Sequence, residues 1–180
     1  MNSISVNDQL IMQQLRLEDA EQLALLVDRN RNYLRRYMPW LDMSRSSDDS
    51  RFFINKVYKQ WQLDGSVTLG VFYRGRLIGV NGFHPLDVIN RNGSIGYWID
   101  AAHQGQGLTT VCTREVVRYG FEKLNLHRIE IRCACDNGAS EAVAKKLGFQ
   151  FEGIKRQCEW LYERFIDNKV YSLLQSEFTG

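Results

Sequence analysis

Apolar residues recur along this chain in two periods, one of about two and one of about three and a half. Over residues 11–17 (IMQQLRL) they alternate loosely, which predicts a short strand. Residues 19–28 then bring apolar positions to helical spacing. A second short helical piece over 31–37 is expected to stop before Pro39, because the residue preceding proline avoids the helical region. Ser46 followed three residues on by Asp49 has the pattern of a capping box and predicts a helix over 47–63 ended by Gly65. Two β-rich runs, 66–73 and 77–83, are separated by Arg74, Gly75 and Arg76 as in a hairpin, and Asn92–Ile99 reads as a third consecutive strand.

In the second half, Leu108, Val111, Cys112, Val116 and Tyr119 recur at spacings of three and four, predicting one buried stripe on a helix over 105–123. Residues 128–135 (RIEIRCAC) alternate strictly, which puts Ile129, Ile131, Cys133 and Cys135 on one face of a strand. A short helix over 140–147 is stopped by Gly148, Phe149 begins another strand, and a β-rich run over 170–174 comes last. Placed at the end of the chain, that run would make an exposed sheet edge, a surface for pairing with a second copy, so a homodimer or higher homo-oligomer is expected. The order strand, helices, three strands, helix, strand, helix, strands predicts an α/β fold around one mixed sheet. No repeat or linker interrupts it, so residues 1–180 are expected to form a single domain.

Composition narrows the function classes. A chain of 180 residues is long enough to bury a core without disulfides or metals. Lys and Arg number 23 against 21 Asp and Glu, and this near balance leaves no bulk field to hold nucleic acid or an anionic membrane; neither is expected as a partner. No basic, apolar leader pattern opens the chain, and its early apolar run over 23–27 falls far short of the ~20 residues that span a bilayer, which predicts a cytoplasmic address. Cys112, Cys133, Cys135 and Cys158 and the scattered His84, His103 and His127 show no ligand spacing, so no metal is expected and the cysteines read as packing. Arg29, Arg31, Arg35 and Arg36 make the most basic patch, read as a solvated helix face in preference to a surface for an acidic partner.

Chemistry concentrates in residues 94–110, SIGYWIDAAHQGQGLTT, a strand and turn followed by a glycine-punctuated entry into a long helix. Gly105 and Gly107 let main-chain amides approach a ligand, and the unpaired amides and positive dipole of a helix start favour phosphate. Neither a P-loop nor a dinucleotide fingerprint is present. By itself the stretch leaves open whether its glycines serve a ligand or only tight packing.

Gln104, Gly105, Gln106, Gly107, Leu108 and Thr109 resemble the Q/R-x-x-G-x-G/A signature of the GNAT superfamily of acetyl-CoA-dependent N-acetyltransferases. Thr109 stands where that signature prefers Gly or Ala, a change that leaves its amide free. Together with IGYWIDAAHQGQG, the stretch DNGASEAVAKKLGFQFEG extends the likeness to the RimJ/RimL group of ribosomal-protein N-terminal acetyltransferases, over nearly the whole chain. The resemblance implies a single, mostly antiparallel sheet with splayed central strands and flanking helices, the splayed pair being 94–99 and 128–135. It implies acetyl-CoA as cosubstrate: pyrophosphate on the amides of residues 104–109, the pantetheine arm in the gap against the main chain near Trp98 and Ile99, and Asn137 on its other side.

The same resemblance assigns Glu159 as general base and Ser140 as the acid that protonates the leaving thiolate, although Ser140 at a helix start also reads as an ordinary cap. Tyr33, Tyr37 and Trp40 fall where such enzymes build part of the acceptor groove. The implied activity is transfer of an acetyl group to a primary amine, foremost the N-terminal α-amine of a ribosomal protein. An α-amine, with a pKa of about 7.7–8.0 against about 10.4 for lysine, needs little help from a base. The alternatives are a small-amine acetyltransferase acting on a polyamine or aminoglycoside, with Glu152, Glu159, Glu163 and Asp167 as an acidic pocket, or a non-catalytic acyl-CoA-binding module.

Overall fold

The computed structural model describes residues 3–180. Its strands form one eight-stranded sheet in the order β1-β2-β3-β4-β5-β6-β8-β7. The strands are β1 (Ser3–Asn7), β2 (Leu10–Gln14), β3 (Thr68–Tyr73), β4 (Arg76–Phe83), β5 (Asn92–Ile99), β6 (Arg128–Ala134), β7 (Gln150–Leu161) and β8 (Arg164–Leu174). The helices are α1 (Ala20–Arg29), α2 (Arg31–Leu34), α3 (Ser47–Asp64), α4 (Leu108–Glu122) and α5 (Gly138–Lys146). Every neighbouring pair is antiparallel except β5 and β6.

The sheet separates two apolar clusters. On one face Cys112, Val116 and Phe121 of α4 pack on Ile95, Ile99, Ile129 and Ile131, all of them buried. On the other, Leu23, Leu26 and Val27 of α1 and Ile54 of α3 cover Phe72, Leu77 and Val80. Local chemistry sets the ends of α3: the Asp49 amide donates to Ser46 Oγ, the Ser46 amide donates back to Asp49 Oδ2, and Gly65 closes the helix at φ 76°. The capping box and the glycine stop thus fall where the pattern predicts them.

Several expectations change. Strand β1 precedes the first strand that the sequence pattern predicts, and the second helical piece is regular only over Arg31–Leu34 before it loosens into turns. The buried stripe of α4 runs through Cys112, Thr113, Val116, Val117, Gly120 and Phe121, with Val111 facing solvent, because the sheet meets the helix one position round from the predicted face. Residues 170–174 are no exposed edge. Strand β8 lies between β6 and β7, pairing with both, and the true edge is β7, a twelve-residue strand that is exposed along nearly its whole length. The arginine patch is also more than a solvated face. Arg31 donates to the carbonyls of Leu41 and Ser44 at 2.7 Å each, Arg35 pairs with Asp42 and lies over the Tyr162 ring, and Arg29 pairs with the buried Asp100 at 2.6 Å.

Candidate active site

The pairing of β5 with β6 fails part-way along. Asn92 to Ile95 pair with Arg128 to Ile131, after which the strands part, so that Gly96, Tyr97, Trp98 and Ile99 have no partner on that side. Four residues at about 3.3 Å each give a V-shaped gap about 13 Å long. Pairing on the other side fixes which groups face the gap. The His84 amide donates to the Ser94 carbonyl and the Asp100 amide to the Ile78 carbonyl, and the register between them opposes Gly82 to Gly96 and Val80 to Trp98. Main-chain groups alternate in direction along a strand. Those of Gly96 and Trp98 therefore bond to β4, while those of Tyr97 and Ile99 point into the gap. Trp98 contributes its ring, 6.2 Å from that of Trp40, rather than its main chain.

A cavity of about 1340 Å³ follows the gap. It is lined by Tyr33, Tyr37, Trp40, Trp98, Ile99, Gln104, Gly105, Gly107, Leu108, Thr109, Asn137, Ser140 and Glu159, so the tertiary structure brings nearly all the sequence-derived candidates to one place. Gln106 is the exception, its side chain turned back to the Ala102 carbonyl. At the open end, Gly105 (φ 73°) and Gly107 (φ 77°) hold left-handed conformations, and a Cβ on either would meet nothing within 4 Å. Backbone conformation, not packing, thus calls for glycine there. Gly107 starts α4 without a side-chain cap, leaving the first-turn amides free for an anion.

That loop is held from behind. Asp100 accepts from Asn30 Nδ2 (3.0 Å) and Arg29, and Asn30 Oδ1 accepts from the Ala101 amide. Burial pushes the Asp100 carboxyl up, but the Asn30 hydrogen bond, the Arg29 charge and the His103 contact outweigh it and hold it below its usual range. The Tyr33 hydroxyl donates to the Ile99 carbonyl at 2.5 Å. Tyr33 therefore fastens the end of β5, and Ile99 is left with only its amide to offer the gap.

On the β6 side, α5 is capped by Asn137, whose Oδ1 accepts from the Ser140 amide at 3.1 Å. Ser140 is not the cap. Its Oγ lies 3.0 Å from the Tyr97 hydroxyl, which also donates to the Ser140 carbonyl. Burial raises the Tyr97 hydroxyl well above its ordinary value, so it stays protonated. Cys133 also lines the cavity, but burial followed by the Glu141 charge pushes its thiol up to about 11, which suits a packed neutral thiol.

Glu159 is aimed by an irregularity in β7. Lys155 opposes Asn168 and Glu159 opposes Ile166, so β7 carries extra residues between them, and Gln157 sits there at φ 47°. The Gln157 amide donates to Asp167 Oδ1 at 2.8 Å, and Asn168 Nδ2 donates to Glu159 Oε2 at 2.7 Å. Bulges of this kind re-aim side chains beside active sites. The acidic pocket expected from Glu152, Glu159, Glu163 and Asp167 does not form. Glu152 pairs with Arg128 outside the cavity, Asp167 holds the bulge, and only Glu159 of the four lines the site. The charged lining is instead mostly basic: Arg36, Lys56, Arg132, Lys146 and Lys155 against Asp49 and Glu159. Sequence reasoning missed Tyr97, Asn168 and His84; Tyr97 lies within the IGYW of residues 95–98, but nothing local marks the other two.

An extended, amide-bearing ligand with an anionic end fits this arrangement, since the gap offers unpaired main-chain groups and its mouth offers free amides. Among the described residues no cluster of His, Cys, Asp or Glu could hold a metal ion, and no helix is long and apolar enough to cross a membrane. Residues 9–150 match the family described as the acetyltransferase (GNAT) domain. The chain is 33% identical to the N-acetyltransferase YdaF of Bacillus subtilis over 181 residues, covering 100% of this chain and 99% of that one. It is 28% identical to the ribosomal-protein-serine acetyltransferase of Escherichia coli, covering 94% and 95%. The structure of RimL, a ribosomal L7/L12 α-N-protein acetyltransferase in complex with coenzyme A, superposes with a TM-score of 0.92 at 26% identity, covering 96% of this chain and 98% of that one.

Proposed function

Since this chain belongs to the acetyltransferase (GNAT) domain family, we propose that it is an acetyl-CoA-dependent N-acetyltransferase whose acceptor is the N-terminal α-amine of a ribosomal protein. The observation that carries the reading is the gap between β5 and β6, with the main chain of Tyr97 and Ile99 turned into it and the free amides of the α4 start at its mouth. An arm added there pairs like another strand. The amides of Gly105, Gly107, Leu108 and Thr109 hold the pyrophosphate, assisted by the basic lining. Asn137, engaged as a cap, shapes the opposite wall.

Bound acetyl-CoA supplies an activated acyl group. Transfer forms an N–C bond at the thioester carbonyl and breaks the C–S bond, so the amine must lose a proton and the thiolate must gain one. Glu159, whose Oε2 is held by Asn168 and whose other oxygen has no partner among the described residues, takes the first. Ser140, in contact with the always-protonated Tyr97, gives the second. The rings of Trp40 and Trp98 wall the acceptor side. A polyamine acceptor fits poorly, because two carboxylates among five cations cannot neutralise several ammonium groups. Retention of a held carboxylate and an engaged serine also argues for catalysis over a non-catalytic acyl-CoA module.

One domain over residues 1–180 carries both binding steps in this reading, and the protein works in the cytoplasm, where ribosomal proteins are made. Copies pair along the β7–β8 hairpin, where Phe151, Ile154, Trp160 and Phe165 are exposed. The test is thiol release from acetyl-CoA with peptides bearing free N-terminal Ser or Ala, beside spermidine and an aminoglycoside. Turnover with a peptide alone is expected. Turnover only with a small amine overturns the acceptor assignment, and no calorimetric binding of acetyl-CoA up to millimolar concentration overturns the whole reading.

A further inference from the structure

His84 follows the end of β4 and lies where the two central strands part. A Cβ built on Gly96, the first β5 residue beyond the last β5–β6 pair, would stand 2.6 Å from His84 Nε2. The imidazole therefore rests on the bare backbone of Gly96 at the vertex of the gap. Its position is tied from the main chain, the His84 amide donating to the Ser94 carbonyl at 2.9 Å. His84 lines the cavity, and among the described residues no protein group is hydrogen-bonded to its ring. A ligand entering the gap from the α4 end runs toward this vertex, so its far end meets His84, with Glu159 lining the same chamber.

Resting on the acetyltransferase reading above, we infer that His84 is a catalytic residue of the acceptor site, its neutral imidazole accepting one N–H of the incoming amine while Glu159 takes the proton that the amine loses. Two acceptors then meet a primary amine, and the nitrogen lone pair is directed to the thioester carbon. The N–C bond forms as the C–S bond breaks. The amine proton goes to the Glu159 carboxylate, the thiolate receives one from Ser140, and both residues are restored by exchange with water.

The surroundings favour the neutral ring. Burial pushes the imidazole below its usual value, Arg132 of β6 and Lys56 of α3 push the same way, and Glu159 of β7 opposes them. A neutral imidazole presents one nitrogen as an acceptor, whereas a protonated one presents none and repels an ammonium group. Acidification therefore removes His84 from the reaction by protonating it.

The experiment compares wild type, His84→Gln, His84→Leu and Gly96→Ala. It measures kcat/KM for an accepted N-terminal peptide from pH 5 to 8 and acetyl-CoA binding by calorimetry. His84→Leu is expected to lower kcat/KM at least about tenfold while acetyl-CoA binding changes less than about twofold. His84→Gln keeps an acceptor but cannot titrate, so it recovers part of the loss. Toward the acid end of that range its plot of log kcat/KM rises less steeply with pH than that of wild type, because only the imidazole can be protonated. Gly96→Ala leaves the histidine in place but drives its ring aside, and is expected to behave like His84→Leu. Equal slopes and near-equal kcat/KM in an active wild type and both His84 variants overturn this inference alone. A wild type that binds acetyl-CoA but acetylates no amine overturns the reading beneath it.

Discussion

Replacing Asn168 with leucine should separate stability from activity. Asn168 is 6% exposed; its Nδ2 donates to Glu159 Oε2, and its Oδ1 is buried without a partner among the described residues. The donor end fixes the orientation of the amide, because a carboxylate accepts only from the NH₂ group. Leucine removes a hydrogen bond to a charged group, worth about 1.5–3 kcal/mol, and at the same time removes an unsatisfied buried acceptor that costs about 1–3 kcal/mol. Glu159 is only half-buried, so its released oxygen reaches water and is not stranded. The two effects nearly cancel, leaving stability within about 1 kcal/mol of wild type, which is about 2–4 °C in Tm for a chain of this size. Activity has no such offset: a carboxylate free to swing should lower kcat about tenfold, equivalent to about 1.4 kcal/mol of barrier. Thermal melts followed by circular dichroism and a thiol-release assay at saturating substrates measure the two. A kcat within twofold of wild type would refute the positioning argument, and a Tm loss above about 8 °C would refute the cancellation.

Other substitutions probe the site and its supports. Glu159→Gln keeps an acceptor for Asn168 and the local fold, but should lower kcat at least about a hundredfold; a kcat within twofold of wild type removes Glu159 as the base. Gly107→Ala meets no steric obstacle, yet forces a left-handed conformation that costs about 1–2 kcal/mol, so Tm should fall and the acetyl-CoA Kd rise severalfold by calorimetry. Glu141 is held down to about 2 by hydrogen bonds from Lys145, Lys169 and Tyr171. A depressed carboxyl stabilises the fold above its unfolded value near 4.5 and loses that contribution as pH falls toward 2. Glu141→Gln should therefore flatten the decline of Tm over that acid range; an identical decline in wild type and variant would show that the carboxylate contributes nothing.

Short-range features were legible without coordinates. The Ser46–Asp49 box, the Gly65 stop, the alternation of RIEIRCAC and the glycines before α4 all act between residues a few positions apart. The chemistry-bearing stretch was readable for the same reason, since a positive φ at Gly105 and Gly107 is a local property. Where a residue's role depends on a distant segment, local pattern misled. Ser140 looked like a cap until Asn137 took that place and Tyr97 met its hydroxyl. Glu152 and Asp167 looked like pocket acids until Arg128 and the β7 bulge claimed them.

The chain's own order of residues thus determined most of its element types and the anion-binding turn, because capping, periodicity and backbone conformation are encoded within a helical turn or a strand, whereas the rest of the site's membership followed from the family resemblance. Tertiary structure alone decided that β8 inserts between β6 and β7, that the expected splay of β5 from β6 begins after Ile95, and that His84, Gly96, Asn168 and Glu159 come to the same chamber. Those outcomes depend on pairings between segments many residues apart, and such pairings are set by how the whole sheet buries its two faces.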